Sequence, residues 1–288
     1  MWLWVLWLLG LFGAACVVWG GCSAWWALHP PRTVPEAREP APGGMVIPFV
    51  DERGETFDVW YQPVATPRAR VVLLHGYYAN RDQIIGVADG LTQRDFEVVL
   101  LELRGHGDRQ GPFTFGVSES DDAGRALQWV TNRPPKGLPS AILGLSAGGA
   151  VACRVALRYP EIKAVITDST YATLFPVLAR EIHTRYRLPA VPWAWVTWAA
   201  IHAFLRQPPG TLDPAMLGRS VRRPLLVIQG GMDARVSLED SDVLARGWGG
   251  VAERWVEPNV PHVGMFTMHP EEYCDRIDAF LTQAIRIS

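Results

Sequence analysis

The stretch Gly144-Leu145-Ser146-Ala147-Gly148-Gly149 constrains this chain more than any other. It follows Ala141-Ile142-Leu143, which is short and apolar enough for a buried strand, and it opens a run from Ala147 to Tyr159 that is rich in helix formers and stops at Pro160. A serine on so tight a passage from strand to helix is held in a strained backbone conformation. The residues two before and two after it must be small to avoid collision, and here they are Gly144 and Gly148. Such a turn lifts a serine hydroxyl to the top of a sheet and aims a helix N-terminus at whatever the hydroxyl attacks. It therefore demands an α/β architecture around it, and it reads Ser146 as a nucleophile.

The rest of the chain supplies the sheet that such a turn needs. Met45–Val50 and Phe57–Gln62 flank Asp51-Glu52-Arg53-Gly54-Glu55 and read as an antiparallel hairpin. Beyond them, buried strands are expected at Val71–Leu74, Val98–Leu101, Ala164–Thr167, Leu225–Ile228 and Glu253–Val256. Helices are expected at Asp82–Arg94, Glu119–Asn132, Leu238–Arg246 and Glu271–Ile285. Apolar strands separated by helices imply a mainly parallel sheet covered on both faces. Right-handed crossovers then bring the strand C-termini to one edge, where sites collect. One interval, Ser169 to Arg223, is longer than a simple crossover. Within it Leu188–Leu205 carries no charged side chain, and Pro189 and Pro192 argue against a membrane span. The interval reads as a small helical cap at about residues 170–222. Its Trp193, Trp195, Trp198 and Phe204 either line a substrate site or pack on the core.

Composition is uneven. Met1 to Pro31 holds no charged side chain and six of the 13 tryptophans. A stretch of about 20 apolar residues suffices to cross a bilayer as a helix, and tryptophans at both ends suit the interfacial belts. A cleaved signal peptide is the rival reading, but no Lys or Arg precedes the apolar run. We read residues 1–29 as a single-pass anchor, residues 30–44 as a Pro-rich linker and residues 45–288 as the main domain. Arg32 and Arg38 follow the anchor, which leans toward a cytoplasmic domain. A formal net charge of −2, with no basic run interleaved with aromatics, argues against nucleic acid as a partner. The four cysteines form neither a metal-ligand spacing nor a disulfide framework, and nothing calls for a cofactor.

Four further signals fall where chemistry at Ser146 needs them. His75-Gly76-Tyr77-Tyr78 follows the first buried parallel strand. Acyl transfer puts negative charge on a carbonyl oxygen, so two donors must be aimed there beforehand. The N–H groups of Ala147 and Tyr77 are best placed, with His75 a structural residue. Gly230-Gly231-Met232-Asp233 ends a strand and presents Asp233 on the same edge, as the residue that would orient a histidine. Pro258-Asn259-Val260-Pro261-His262 follows the last strand and offers His262 as base. Asp168 is the alternative acid, and Glu102-Leu103-Arg104-Gly105-His106-Gly107-Asp108 reads as a structural turn.

With these residues in order, the chain from about residue 45 to 286 resembles the α/β-hydrolase superfamily of serine hydrolases, in particular its esterase, lipase and thioesterase members. The resemblance implies an α/β-hydrolase fold: a mostly parallel eight-stranded sheet with an antiparallel start, helices on both faces and a small helical cap, here preceded by a transmembrane helix. It also implies a triad of Ser146, Asp233 and His262, with an oxyanion hole at Tyr77 and Ala147. Ser146 excludes the covalent-alkyl chemistry of members with a carboxylate nucleophile. Gln229 stands where many relatives have histidine, with no evident consequence for catalysis. The expected activity is cleavage of carboxylic ester or thioester bonds in a small ester or lipid-like substrate with an apolar acyl group. An amidase or proline-releasing peptidase of the same fold is the alternative enzyme, and a non-catalytic membrane interaction module the alternative outside enzymes. Deleting residues 1–31 is expected to leave a soluble, active protein, since neither triad nor sheet draws on that segment.

Overall fold

Strands with both faces apolar have to be covered twice, and the computed structural model, which describes residues 2–287, arranges the chain accordingly. Strands β1 (Met45–Val50) and β2 (Thr56–Gln62) form the antiparallel hairpin. With β3 (Ala69–Leu74), β4 (Phe96–Leu101), β5 (Ser140–Leu145), β6 (Ile162–Asp168), β7 (Leu225–Gly230) and β8 (Ala252–Glu257) they make an eight-stranded sheet ordered β1-β2-β4-β3-β5-β6-β7-β8. Strand β2 meets β4 antiparallel, and every pairing from β4 to β8 is parallel. This is the α/β-hydrolase arrangement.

Side chains alternate between the two faces along each strand. Val72 and Leu74 of β3, with Ile142 and Val165, join one core with α3 (Glu119–Thr131), α4 (Ala147–Arg158) and α8 (Leu238–Gly247). Val71 and Leu73, with Leu143 and Ile166, join the other with α2 (Asp82–Thr92) and α10 (Pro270–Ile287). The edge strands β1 and β8 are only partly buried, which is why their sequences alternate or carry charge.

Between β6 and β7 the chain forms α5 (Leu174–Tyr186), α6 (Trp193–Leu205) and the short α7 (Pro214–Gly218). The N-terminal apolar run is one helix, α1 (Trp2–Leu28), long and apolar enough to cross a membrane. Its last turns do not stand apart from the fold. Cys16, Gly20, Ala24 and Leu28 recur every fourth residue and are buried. That stripe packs on α6, where a methyl group added at Gly20 would lie 2.9 Å from the Val196 carbonyl oxygen. The Ser23 and Thr197 hydroxyls are 2.6 Å apart, and the Trp19 ring sits edge-on to Trp193 at 5.3 Å. Close approach through small residues is the usual way apolar helices pair without an amphipathic face. Residues 30–44 are also laid on the domain: the N–H groups of Glu36 and Ala37 donate to the Asp82 carboxylate, and Asn80 donates to the Thr33 carbonyl. The α1 contacts with Trp193, Val196 and Thr197 fall on α6, outside the strands and the triad, so the N-terminal helix is packed on the domain while the sheet and the catalytic side chains are built from residues further on.

Candidate active site

Ser146 joins β5 to α4 with φ 51° and ψ −115°, the strained backbone that the glycine spacing requires. A side chain at Gly144 would strike the backbone of Gly148 and Gly149, and one at Gly148 would strike the carbonyls of His75 and Leu74. The turn is further pinned by the Ser146 N–H donating to the Asp168 carbonyl at 2.7 Å and by Thr170 Oγ1 donating to the Ser146 carbonyl.

The strand ends bring the three expected side chains together. His262 Nε2 lies 3.0 Å from Ser146 Oγ, and its Nδ1 lies 2.7 Å from Asp233 Oδ2. A ring nitrogen facing a carboxylate donates its proton there. That leaves Nε2 as the acceptor for the serine hydroxyl. The Asp233 side chain is 1% exposed and that of His262 19%, so the acid is sheltered and the base open to the site. Burial by itself would raise the Asp233 carboxyl. Hydrogen bonding and charge from His262, with the N–H groups of Val236 and Arg235, outweigh it and hold the group below its usual range.

Asp168 sits one strand over in a different setting. Ser169 Oγ donates to its Oδ1 at 2.9 Å and Tyr273 to its Oδ2 at 3.1 Å, while Ser169 Oγ also accepts from the Val263 N–H. Burial pushes the Asp168 carboxyl up to about 6. Asp168 thus buttresses the loop after β8 rather than bonding His262.

Of the two residues expected to supply N–H donors, Ala147 directly follows Ser146 and Tyr77 follows Gly76, which lies beside it. Ala147 opens α4, where first-turn N–H groups have no helical partner. Gly76 precedes Tyr77, and a methyl group added to Gly76 would sit 3.4 Å from Ser146 Cβ. Beneath this loop His75 is fully buried, with Nε2 2.7 Å from Glu102 Oε1. Arg104 of the same Glu102–Asp108 segment pairs with Asp122 and Glu52, so the segment is a structural hub.

Of the aromatic residues on α6, Trp193 is engaged by α1 through Trp19. Trp195 is 50% exposed and packs on Phe175, Trp198 lies against His202 and the core, and Phe204 is 56% exposed. Sequence reasoning noted Gln229 as a departure but gave it no part in the site. Its buried amide donates to Asp233 Oδ2 at 3.0 Å, and the signals for it were its departure from the histidine of many relatives and its position four residues before Asp233 at a strand end. Among the described residues no cluster of His, Cys, Asp or Glu is disposed to hold a metal ion.

Comparison with known proteins follows the same lines. Residues 65–215 match the family described as serine aminopeptidase, S33. The monoacylglycerol lipase of Mycolicibacterium smegmatis is 33% identical over 106 residues, covering 36% of this chain and 38% of that protein. The pimeloyl-(acyl-carrier protein) methyl ester esterase of Cronobacter sakazakii is 34% identical over 112 residues, covering 38% of this chain and 39% of that protein. The chain thus spans less than half the length of the curated relatives it matches. Among solved structures, an esterase of Pyrococcus furiosus superposes with a TM-score of 0.73 at 24% identity, covering 89% of this chain and 97% of that one. The Est1E protein of Butyrivibrio proteoclasticus does so with a TM-score of 0.64 at 15% identity, covering 85% and 99%. These two likenesses are of fold.

Proposed function

The chain belongs to the serine aminopeptidase S33 family of α/β-hydrolase serine hydrolases, and from that premise we propose that it is a membrane-anchored esterase acting on carboxylic esters or thioesters with an apolar acyl group. The observation that carries this reading is the unbroken relay from Ser146 Oγ through His262 to Asp233, at 3.0 and 2.7 Å. In the proposed reaction Ser146 Oγ attacks the acyl carbonyl and passes its proton to His262 Nε2. The negative charge that forms on the carbonyl oxygen is met by the N–H groups of Ala147 and Tyr77. His262 returns the proton to the departing alkoxide or thiolate, leaving an acyl-serine. A water then attacks, again through His262, and frees the acid. Asp233 holds the imidazole in the tautomer that both steps need.

An acyl substrate is supported by the uncharged face of α6 and by the resemblance to a monoacylglycerol lipase and an acyl-carrier-protein ester esterase. Membrane anchoring is supported by α1, whose 27 residues would extend about 40 Å, beyond the hydrocarbon thickness of a bilayer. Its packing on α6 supports retention rather than cleavage. The arginines at positions 32 and 38 lean toward a cytoplasmic domain. The family description favours a second reading, release of an N-terminal residue from a peptide, by the same triad.

Replacing Ser146 with alanine tests the central claim. Ser146→Ala should lower kcat for p-nitrophenyl esters by about 10⁴-fold or more with the fold intact, and His262→Ala nearly as much. Combining the two should add little, because such residues act as a unit. An active Ser146→Ala, or losses that multiply, would remove the assignment. Parallel assays on aminoacyl and prolyl anilides decide between ester and peptide substrates.

A further inference from the structure

The last four carbonyls of a helix have no partner inside it and must find one elsewhere. At the end of α1 the His29 N–H meets the Trp25 and Trp26 carbonyls and its ring Nδ1 lies 2.9 Å from the Trp25 carbonyl, but Pro30 and Pro31 carry no N–H to offer the Ala27 and Leu28 carbonyls. The catalytic domain supplies the partners of these last two. The Tyr77 hydroxyl donates to the Ala27 carbonyl at 2.9 Å, and the Phe113 N–H donates to the Leu28 carbonyl at 2.7 Å. Leu28 itself is 5% exposed, beside Phe113 in the core of the domain.

Tyr77 has two ends in this arrangement. Its backbone N–H is the loop donor proposed for the carbonyl oxygen, and its side chain is fastened to the exit turn of the apolar helix. We propose that α1 is a positioning element of the active site as well as an anchor: its seating on α6 holds the Ala27 carbonyl, which holds Tyr77, which sets the oxyanion loop. The inference rests on the assignment of Tyr77 as an oxyanion donor. A further consequence is spatial, since the reacting carbonyl then lies about one tyrosine side chain from the point where the helix leaves its apolar stretch. Ester carbonyls of acyl lipids in a bilayer lie at that boundary, so a membrane-resident acyl ester is the substrate class this geometry accommodates.

Tyr77→Phe removes the bond to Ala27 while keeping the ring and the backbone N–H. In the full chain in detergent, kcat for p-nitrophenyl butyrate should fall about tenfold with KM within twofold of wild type, as misplacement of a preorganised donor predicts. Gly20→Leu should do the same from a distance, because a side chain there strikes the Val196 backbone and lifts α1 off α6. The double variant should be no slower than the slower single. Gly13→Leu, where an added methyl meets nothing within 4 Å, should match wild type. A Tyr77→Phe protein with wild-type kcat overturns the brace, whether or not its thermal midpoint drops, and so does a loss confined to KM. If Ser146→Ala is inert while Tyr77→Phe is fully active, the brace alone fails. If Ser146→Ala stays active, the hydrolase reading fails first.

Discussion

Asp233 and Asp168 are both buried carboxyls at strand ends near His262, and their surroundings push them in opposite directions. Asp233 accepts from two backbone N–H groups, the Gln229 amide and His262, and stays below its usual range. Asp168 has only the Ser169 and Tyr273 hydroxyls against full burial, and rises to about 6. The hydrogen bonds fit two different roles, Asp233 on the His262 ring and Asp168 on the Ser169 and Tyr273 hydroxyls. Asp233→Asn should therefore cut kcat by about 10⁴-fold by favouring the wrong tautomer, and Asp168→Asn far less. The reverse ranking in steady-state kinetics would move the acid to Asp168. Asp168 also carries a pH signature. Its folded-state pKa lies above the unfolded value, so ionisation costs stability as pH rises from about 4 to 6. Asp168→Asn abolishes that cost, and its stability relative to wild type should improve by on the order of 3 kcal/mol from pH 4 to pH 7. Urea unfolding at the two pH values measures it, and an unchanged difference would show that Asp168 does not titrate there. Gln229→Met keeps the volume but loses the donor to Asp233, and should lower kcat about tenfold with KM little changed, the lower range for a hydrogen bond to a charged group. That role was not legible in the sequence, because the amide meets Asp233 only once the turn at Gly230-Gly231 folds back.

The turn from β5 into α4 is the element on which the site depends. A methyl group at Gly148 would run into the carbonyls of Leu74 and His75, which are backbone and cannot rotate away. Gly148→Ala should cost about 3 kcal/mol, the upper range for overpacking, and slow turnover, since the displaced segment leads into Gly76-Tyr77. Denaturant midpoints and kcat on the same preparation test both halves, and an unperturbed variant would mean that β3 and α4 are looser than they stand. This element was readable because its constraints are local: a tight turn, two glycines, an apolar strand before and helix formers after. The expected helix Ala147–Tyr159 is observed as Ala147–Arg158, and the expected strand 141–143 extends to Ser140–Leu145. Strand–helix alternation was legible for the same reason. Helices α1 and α6 are the counter-case. Each is apolar on all sides, so no polar–apolar alternation marks the face that packs; on α1 only the fourfold spacing of Cys16, Gly20 and Ala24 does, and the pairing of Gly20 with Val196 joins positions far apart in the chain.

At the scale of the whole molecule, the apolar N-terminal helix and the hydrolase domain form one packed unit. Residues 2–15 are exposed along α1, including Trp2, Trp4 and Trp7, whereas Gly20, Ala24 and Leu28 are buried against the domain. An anchor hung on a free tether would be removable without effect. This one is not. Deleting residues 1–31 strips Ala24 and Leu28 from the core, bares the α6 face around Trp193 and Thr197, and leaves the Tyr77 hydroxyl and the Phe113 N–H without their carbonyl partners. Loss of two buried apolar side chains and two hydrogen bonds amounts to a few kcal/mol, which in a domain of this size lowers Tm by about 5 °C or more. The truncated protein should unfold earlier than the full chain in detergent, self-associate through α6 on size exclusion, and turn over soluble esters more slowly. The full chain should stay in the membrane fraction through carbonate extraction. A truncated protein that is monomeric, as stable and as fast as the full chain would show α1 to be a tether and nothing more, and with it would go the argument that the active site is set at the depth of the bilayer surface.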